Sequence, residues 1–468
     1  MKKYLALVLG VVFVLGFAAS AFAIHADIPA ETQAVIAKGA TQISIGGEIR
    51  FRGDYQNNNS DFNSDKSDHK SYYDSRIRLS VDAQVTPNTE GFVQIEAGSD
   101  VDGNQSSDLF IWGNSSKNLQ TGSSNSAGIY NQGDSKRGTL SILQAWIINK
   151  GNALGIPAGI KIGHMPLALG NSIFFDHTKY GDDAIVLFAD PVKEMHIALL
   201  TAKFREGATT LNDDSDAYVG LLTYQFDKNS GISGDITYVN DQTGLGTVGA
   251  ENAIHFWNFG LRGNTAFSGF GLMADVEFQA GEVKNTATAN HGDVKFAGYA
   301  FKVGANYKLD PVTLSLDWAW GSGDDNAGDG KVKAFVTSQS AIQHFTYVYD
   351  YRTKNACGNQ YGGLCNTKYV KLGANADLTK DLNGDLGIYY LHADKAFNGV
   401  AGLAGVNTDS KDIGWEIDAS LKYKIDRNLN YWVEGGYLFA GDFWKSVTPA
   451  GKSPDNAYSV RHGISLSF

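Results

Sequence analysis

Residues 412–426 read DIGWEIDASLKYKID, and every second residue from Ile413 to Ile425 is apolar. The positions between them carry charges of both signs, including Glu416 and Lys422. A period of two is typical of a β-strand with one apolar and one polar face. The same alternation returns in residues 429–439 and 457–468, so the end of the chain predicts three consecutive strands.

An apolar sheet face has to be covered, and the chain offers few segments that could form a second layer over it. The alternative is a closed sheet with lipid outside and water inside, in which every backbone hydrogen bond is made between strands. We therefore predict an all-β fold: a transmembrane antiparallel β-barrel spanning residues 41–468.

The N-terminus has the composition of an export signal. Lys2 and Lys3 precede an apolar run that ends in the A-x-A sequence of residues 21–23. This pattern predicts a cleaved signal peptide, residues 1–23, and an outer-membrane location; an uncleaved anchor helix is the alternative. Cleavage would remove two lysines and no acid, lowering the formal net charge from −11 to −13.

Composition excludes several classes of protein. The mean hydropathy is −0.22, and no other apolar run approaches the roughly 20 residues of a membrane helix. The 54 glycines against 8 prolines suit strands joined by tight turns. The acidic balance argues against nucleic acid as a partner.

Connections between the alternating segments follow a regular order. Residues 24–40 do not alternate and are expected to form a short periplasmic segment with a helical turn or two. After residue 41, short and long connections alternate, as in barrels with brief periplasmic turns and long external loops. About eighteen strands result, with both termini periplasmic. Sixteen is the alternative, because residues 139–149 and 183–190 are apolar on both faces and residues 342–352 could be a separate hairpin.

With these features, the chain resembles bacterial outer-membrane porins. The resemblance rests on the A-F-A signal, the alternating segment 457–468 and the final Phe468. It implies that Phe468 is part of the signal read by the barrel-insertion machinery.

Two segments carry a narrower resemblance. Residues 160–170 (IKIGHMPLALG) resemble the strand-to-loop pattern GRQ-x-L-x-x-G of alginate-export-like barrels, and residues 437–443 (YLFAGDF) also resemble those proteins. That resemblance implies eighteen strands. The sequence departs from the pattern at His164, where an arginine is usual.

Charged side chains on the predicted inner face are the candidate pore-lining residues. The set comprises Arg50, Arg52, Arg76, Arg78, Asp275, Glu277 and Asp317. In an eighteen-stranded ring the second strand faces the eleventh, so basic and acidic groups could oppose each other across the water path. The alternative is pairing on adjacent strands, for example Arg76 with Asp54 or Asp82.

Two long loops are candidates for folding into the lumen. Residues 98–138 contain a short apolar segment, 109–112, which could anchor the loop inside the wall or form a surface cluster. The other loop holds Cys357 and Cys365, which we expect to form a local disulfide in an exported protein; two free thiols are the alternative. In this loop Tyr347, Tyr349 and Tyr351 are expected to continue a strand beyond the membrane.

The remaining candidates are weighed against simpler roles. Asp324, Asp325, Asn326 and Asp329 could offer oxygen ligands to calcium, but they miss the EF-hand pattern and are expected to form a solvated acidic loop. Aromatic residues on outward positions suit interfacial girdles. They are Trp257, Trp318, Trp320, Trp415, Tyr423, Tyr431 and Tyr437. No metal or cofactor site is predicted.

These patterns predict a passive porin for small hydrophilic solutes and ions, not an enzyme. The ten histidines are scattered singly, and neither G-x-S-x-G nor H-E-x-x-H occurs. One alternative is an exporter or selective channel for an anionic polymer, which would need an inward basic track. Its members would be Arg50, Arg52, Arg76, Arg78, Arg262, Lys302 and Lys371. Another is a sheath around a partner such as a multihaem cytochrome. The sequence leaves open whether the protein forms a homo-oligomer.

Overall fold

The computed structural model describes most of the chain from residue 34 onward. The described ranges are 34–38, 41–98, 110–112, 140–207, 213–243, 253–284, 292–326, 328–339, 344–358, 362–396, 409–448 and 452–468. The expected signal peptide, residues 1–23, lies outside them, as does most of the segment 98–138. None of the helical segments within these ranges is long and apolar enough to cross a membrane.

Eighteen strands within the described residues form the wall of a closed barrel. In chain order they are β1 (Thr41–Asn57), β2 (Lys70–Thr86), β3 (Thr89–Ala97), β4 (Leu140–Ala153), β5 (Ile156–Met165), β6 (Asp182–Val192), β7 (Met195–Arg205), β8 (Ser215–Asp227), β9 (Ser230–Asp241), β10 (Ile254–Phe267), β11 (Phe270–Val283), β12 (Tyr299–Leu309), β13 (Val312–Gly321), β14 (Thr367–Asp377), β15 (Leu382–Ala393), β16 (Asp412–Asp426), β17 (Leu429–Ala440) and β18 (Ala457–Ser467). Each strand pairs antiparallel with the next, and β18 pairs with β1. The prediction of an eighteen-stranded antiparallel barrel is confirmed.

The seam between β1 and β18 closes at the last residue. Phe468 exchanges two backbone hydrogen bonds with Gly47, of 2.7 and 3.0 Å. Beyond this point the short strand Ala34–Lys38 takes over the same edge of β1, pairing with residues 41–45. Residues 34–38 are therefore extended, and the helical turns expected within residues 24–40 are wrong for this part.

The connections have the predicted order of short turns and long loops. Two-residue turns include Leu154–Gly155 and Ser268–Gly269, in which both residues have positive φ. That conformation matches the twist of a tight β-hairpin, and glycine at the second position adopts it without steric cost. The long connections join strand ends at the opposite end of the barrel.

The two faces of the wall have opposite chemistry. On β16, Trp415 and Ile417 point outward and are 53% and 39% exposed, whereas Glu416 and Asp418 point inward and are buried. The predicted outward aromatic residues likewise lie on the outer face. All are exposed there except Trp320, which is half-buried. The barrel is thus inverted relative to a soluble protein, with its apolar surface outside.

Residues 166–181, between β5 and β6, fold into the barrel; we call them inner loop 1. Their apolar side chains, including Leu169 and Phe175, are buried against inward-facing Ala198 and Leu221. Trp146 of β4 and Ala184 and Val186 of β6 belong to the same buried apolar cluster as the loop, which accounts for the apolar inner faces of these two strands. In the sequence, residues 98–138 and the cysteine loop were the candidates for folding into the lumen, and residues 166–181 were not.

The described residues within 322–366, between β13 and β14, also fold inward; we call this segment inner loop 2. Cys357 and Cys365 are joined by a disulfide, as predicted, with 5.9 Å between their Cα atoms. Tyr347, Tyr349 and Tyr351 lie in turns packed inside the barrel, and Tyr349 is fully buried. The expectations that these tyrosines continue a strand, or that 342–352 forms a hairpin, are wrong for the described residues from 344 onward.

The segment 98–138 is described only at residues 110–112. Phe110–Ile111 pairs with Asp74 and Ser75 on the edge of β2. Trp112 donates a 2.6 Å hydrogen bond to Ser75 and contacts the outward-facing rings of Phe51 and Tyr73. Of the two alternatives for residues 109–112, an anchor inside the wall is therefore wrong for Trp112, which lies on the outer face.

The orientation of β16 predicts how it responds to added charge. Ile417→Arg places a cation on the outer face among lipid chains, and we expect it to destabilise the inserted barrel by about 2–4 kcal/mol. Ser420→Arg, on the inner face of the same strand, is the matched control and should cost far less. Denaturant unfolding in lipid vesicles measures both; equal losses would contradict the assigned orientation.

Candidate pore lining

The inner wall of β1, β2 and β3 carries a cluster of arginines paired with carboxylates. Arg50 and Arg52 both reach Asp74, at 3.4 and 2.8 Å. Across the same strands, Arg76 lies 2.6 Å from Glu48, and Arg78 lies 2.7 Å from Glu96. In the register of β1 and β2, Arg76 lies opposite Arg50 and Glu48 lies opposite Arg78. The pair of Arg76 with Glu48 therefore runs diagonally from β2 to β1.

A second charged cluster lies across the lumen on β9, β10 and β11. Arg262 is buried among three carboxylates, those of Asp235, Asp275 and Glu277, and its distance to Glu277 is 3.0 Å. Asn258 donates a 2.7 Å hydrogen bond to the other oxygen of Glu277. The cluster holds three acids and one base, so its formal charge is negative when all are ionised.

Asp317 lies between two lysines on neighbouring strands. It is half-buried on the inner face of β13, directly opposite Lys371 on β14 in register. Lys302 occupies the inner face of β12, opposite Asp275. This part of the wall alternates in charge around the ring.

All seven predicted pore-lining residues therefore lie on the inner face, in three groups. The four basic members lie on β1 and β2, two acidic members on β11 and the third on β13. Each arginine is nevertheless paired with a carboxylate on its own or an adjacent strand, as the alternative expected, although Arg76 pairs with Glu48 instead of Asp54 or Asp82. Most of these charges are therefore buried and paired within the wall and the inner loops.

Inner loop 1 is fixed to the wall through polar contacts at two places. The ammonium of Lys179 lies 3.0 Å from Glu96 on β3. Asn171 donates a 2.8 Å hydrogen bond from its side chain to Asp275 on β11. Together with the apolar packing on β7 and β8, these contacts hold the loop across one side of the lumen.

Inner loop 2 is fixed by carboxylates that receive backbone N–H groups. Glu416 accepts hydrogen bonds from the N–H groups of Val348 and Tyr349, at 2.6 and 2.9 Å. Asp418 accepts one from Tyr347, at 3.2 Å. Buried backbone N–H groups need such partners, and carboxylates are the strongest acceptors available.

The neighbouring strand leaves room for this contact. A Cβ atom on Gly436 of β17 would lie 2.3 Å from Oδ1 of Asp418 and 3.0 Å from Cβ of Tyr347. A larger residue here would therefore push the loop away from the wall.

Other contacts complete the attachment of inner loop 2. Arg352 forms a buried ion pair with Asp54 on β1, and Arg461 on β18 donates a 2.7 Å hydrogen bond to the hydroxyl of Tyr351. On the far side, Gln279 of β11 exchanges two hydrogen bonds with the backbone of Val336, of 2.7 and 2.8 Å.

Sequence reasoning placed Glu416 and Asp418 on the inner face but did not identify them as loop anchors. It missed Glu48, Asp74 and Asp235 as partners. One signal for inner loop 1 was present, because residues 167–175 (LALGNSIFF) form an apolar run inside a long connection. Such a run is out of place in a solvated loop and fits an apolar inner wall.

The acidic residues at 324–329 pair with lysines. Asp325 lies 3.2 Å from Lys395, and Asp329 forms an ion pair with Lys333. These partners hold the pKa of each carboxyl below its ordinary value through hydrogen bonds to the ammonium groups. Throughout the part of the chain that the structure describes, no group of three or more histidine, cysteine or acidic residues is placed to hold a metal ion.

Several solved structures share this architecture. OccAB1 of Acinetobacter baumannii superposes with a TM-score of 0.54 and 12% sequence identity, covering 91% of this chain and 96% of that one. OccK8 (OprE) of Pseudomonas aeruginosa gives 0.52 and 10%, and OpdK of the same organism, solved with vanillate, gives 0.51 and 11%. Each of these two covers 91% of this chain and 98% of its own. At such identities the likeness establishes the fold alone.

The sequence itself gives the family. No curated protein matches the chain at a significant level. A sequence model described as "Alginate export" matches residues 41–454, which is nearly the whole barrel. The chain therefore belongs to the alginate export family and is an eighteen-stranded outer-membrane barrel of that family.

Proposed function

We propose that this protein is a passive, water-filled channel that lets small hydrophilic solutes and ions cross the outer membrane. The observation that carries the proposal is the closed wall with an apolar outer face and a charged inner face. Inner loops 1 and 2 reduce the width of the lumen. The wall remains polar where the charged clusters lie. A channel of this kind selects by size and by fixed charge.

The contacts of the arginines favour small solutes over an anionic polymer. The family description names alginate, and a track for such a polymer would need basic groups free to meet it. Arg50, Arg52, Arg76, Arg78 and Arg262 are each paired with carboxylates of the wall. Breaking those pairs would leave buried acids without partners, which is costly.

The inner loops also argue against a protein sheath. A partner such as a cytochrome would have to occupy the lumen that these two loops cross. Both loops are fixed to the wall by buried contacts, so making that room would mean breaking them.

The proposal extends to export and assembly. Residues 1–23 direct the chain across the inner membrane and are removed. Phe468 forms part of the signal for the barrel-insertion machinery, and the barrel carries out no catalysis. N-terminal sequencing of the mature protein tests cleavage after Ala23, and deletion of Phe468 should lower the amount of folded barrel.

The direct test of the channel is a planar bilayer recording of the purified protein. We expect discrete, ohmic current steps without any added partner, and swelling of liposomes in small neutral sugars. Vesicles that contain folded barrel but stay impermeable to ions and sugars would contradict the proposal.

The arginines of β2 are expected to influence charge selectivity. Arg76→Gln with Arg78→Gln removes two positive charges and leaves Glu48 and Glu96 in place, so reversal potentials should shift toward cation preference. Lys150→Gln with Lys422→Gln removes the same charge from exposed inner positions near the short turns. An unchanged selectivity in the first double variant would exclude a pore-lining role for these arginines.

One buried acid in inner loop 2 makes the loop sensitive to pH. Asp350 accepts hydrogen bonds from the N–H groups of Phe345 and Gly363, at 3.3 and 3.1 Å. Burial raises its pKa from 3.8 to about 7, and nearby Glu416 acts in the same direction. Its carboxyl is therefore protonated when the loop is packed at mildly acidic pH.

Raising the pH should loosen inner loop 2. Because the packed state has the higher pKa, the contribution of Asp350 to stability is complete below pH 3.8 and declines as the pH rises through about 7. Limited proteolysis should cut the loop faster at about pH 8.5 than at about pH 5. Asp350→Asn, which stays neutral, should abolish that difference; a difference that persists would assign the effect to another group.

A further inference from the structure

The two inner loops are joined to each other inside the lumen. Phe175–Asp176 of inner loop 1 pairs as a parallel strand with Ser338–Gln339 of inner loop 2. The N–H of Ser338 donates to the carbonyl of Phe174 at 2.8 Å. The side chain of Gln339 donates to the carbonyls of Ser172 and Ile173, at 2.6 and 3.0 Å. We call these contacts the loop junction.

A relay of three side chains ties the loop junction to the wall. Nε2 of His177 lies 2.8 Å from the hydroxyl of Ser338, and Nδ1 lies 2.9 Å from the carboxylate of Asp182. Asp182 is buried at the first position of β6. A carboxylate on Nδ1 favours the tautomer in which Nδ1 carries the proton and Nε2 accepts a hydrogen bond from the Ser338 hydroxyl. The relay therefore connects β6, inner loop 1 and inner loop 2 in one line.

The same order of atoms activates serine in hydrolases, so the two roles must be distinguished. In serine proteases the backbone N–H of the serine helps to bind the oxyanion of the intermediate. Here the N–H of Ser338 is bonded to the carbonyl of Phe174, within the strand pairing. The geometry thus favours a structural bridge between the loops.

The two loops share one anchoring strand, β11, and are otherwise held at different strands of the wall. Inner loop 1 is held at β3 by Lys179 and packs on β7 and β8. Inner loop 2 is held at β16 by Glu416 and at β1 by Arg352. Two segments that are fixed to the wall and bonded to each other restrain one another, so breaking the junction frees each loop to move further into or out of the lumen.

We infer that the loop junction sets the size limit of the channel, with His177, Ser338 and Gln339 as the residues that determine it. The inference rests on the proposed function of a passive channel. It separates two properties, because the junction controls how large a solute passes, whereas the wall charges control which ions pass.

The test compares solute size with ion selectivity. His177→Ala and Gln339→Ala should each admit larger neutral sugars in liposome swelling and raise the single-channel conductance, while reversal potentials stay unchanged. His196→Ala is the matched control, since His196 forms a similar pair with Asp190, 2.6 Å away, next to a short turn. It should leave the size limit unaltered.

A covalent junction provides the converse experiment. Asp176 and Gln339 are register partners, so Asp176→Cys with Gln339→Cys places two thiols at a separation that suits a disulfide. When oxidised, this variant should keep the wild-type size limit; when reduced, it should admit larger sugars. Wild type treated with the same reductant controls for loss of the Cys357–Cys365 bond.

Three results would overturn the inference. If the wild type conducts and both alanine variants retain its size limit, the loop junction does not set that limit. Labelling of Ser338 by a fluorophosphonate, dependent on His177, would assign the relay to acyl transfer instead. A wild type that does not conduct at all would contradict the proposed function, and the inference with it.

Discussion

Every backbone N–H and C=O in the hydrocarbon layer must be hydrogen-bonded to another backbone group, because lipid offers no partner. In this chain that requirement is met by closing eighteen strands into a ring, with β18 paired to β1. The closure extends to the last residue, where Phe468 bonds to Gly47, and continues through the short strand Ala34–Lys38. Neither edge of the sheet is left open along this seam within the described residues.

Closure reverses the usual distribution of apolar and polar residues between the interior and the surface. The outer face is apolar and exposed, so charged side chains are confined to the interior, where the inner loops bury many of them. A buried charge is tolerated only with a partner, and here the partners come from neighbouring strands and from the loops. Arg262 with its three acids is one example; Glu416, which receives two backbone N–H groups of inner loop 2, is another. The polar wall and the inner loops therefore stabilise each other.

The alternation of apolar and polar residues, with the order of connections, was enough to predict the barrel, about eighteen strands with sixteen as the alternative, and the faces of the strands. It also placed the seven pore-lining candidates on the inner face, because a residue's parity along a strand decides its face. The partners of those residues could not be read in the same way. The pairing of Arg76 with Glu48, instead of Asp54 or Asp82, depends on the register between β1 and β2 and on side-chain direction.

The inner loops were the least predictable part. Tyr347, Tyr349 and Tyr351 alternate like a strand, yet they form turns because Glu416 and Asp418 bind the backbone at these positions. Local periodicity cannot reveal such long-range acceptors, which lie some seventy residues further along the chain. Two local signs were present: the apolar inner faces of β4 and β6, and the apolar run of residues 167–175 inside a long connection.

The central claim is that the apolar face of each strand meets lipid and the polar face meets water. Spin labels attached singly along residues 413–425 of β16, in protein reconstituted into bilayers, test it most directly. The account predicts that odd-numbered positions are accessible to apolar oxygen and shielded from a polar nickel reagent, with a strict period of two. Equal access of both reagents at neighbouring positions, or protection of Trp415 and Ile417 from oxygen, would contradict it.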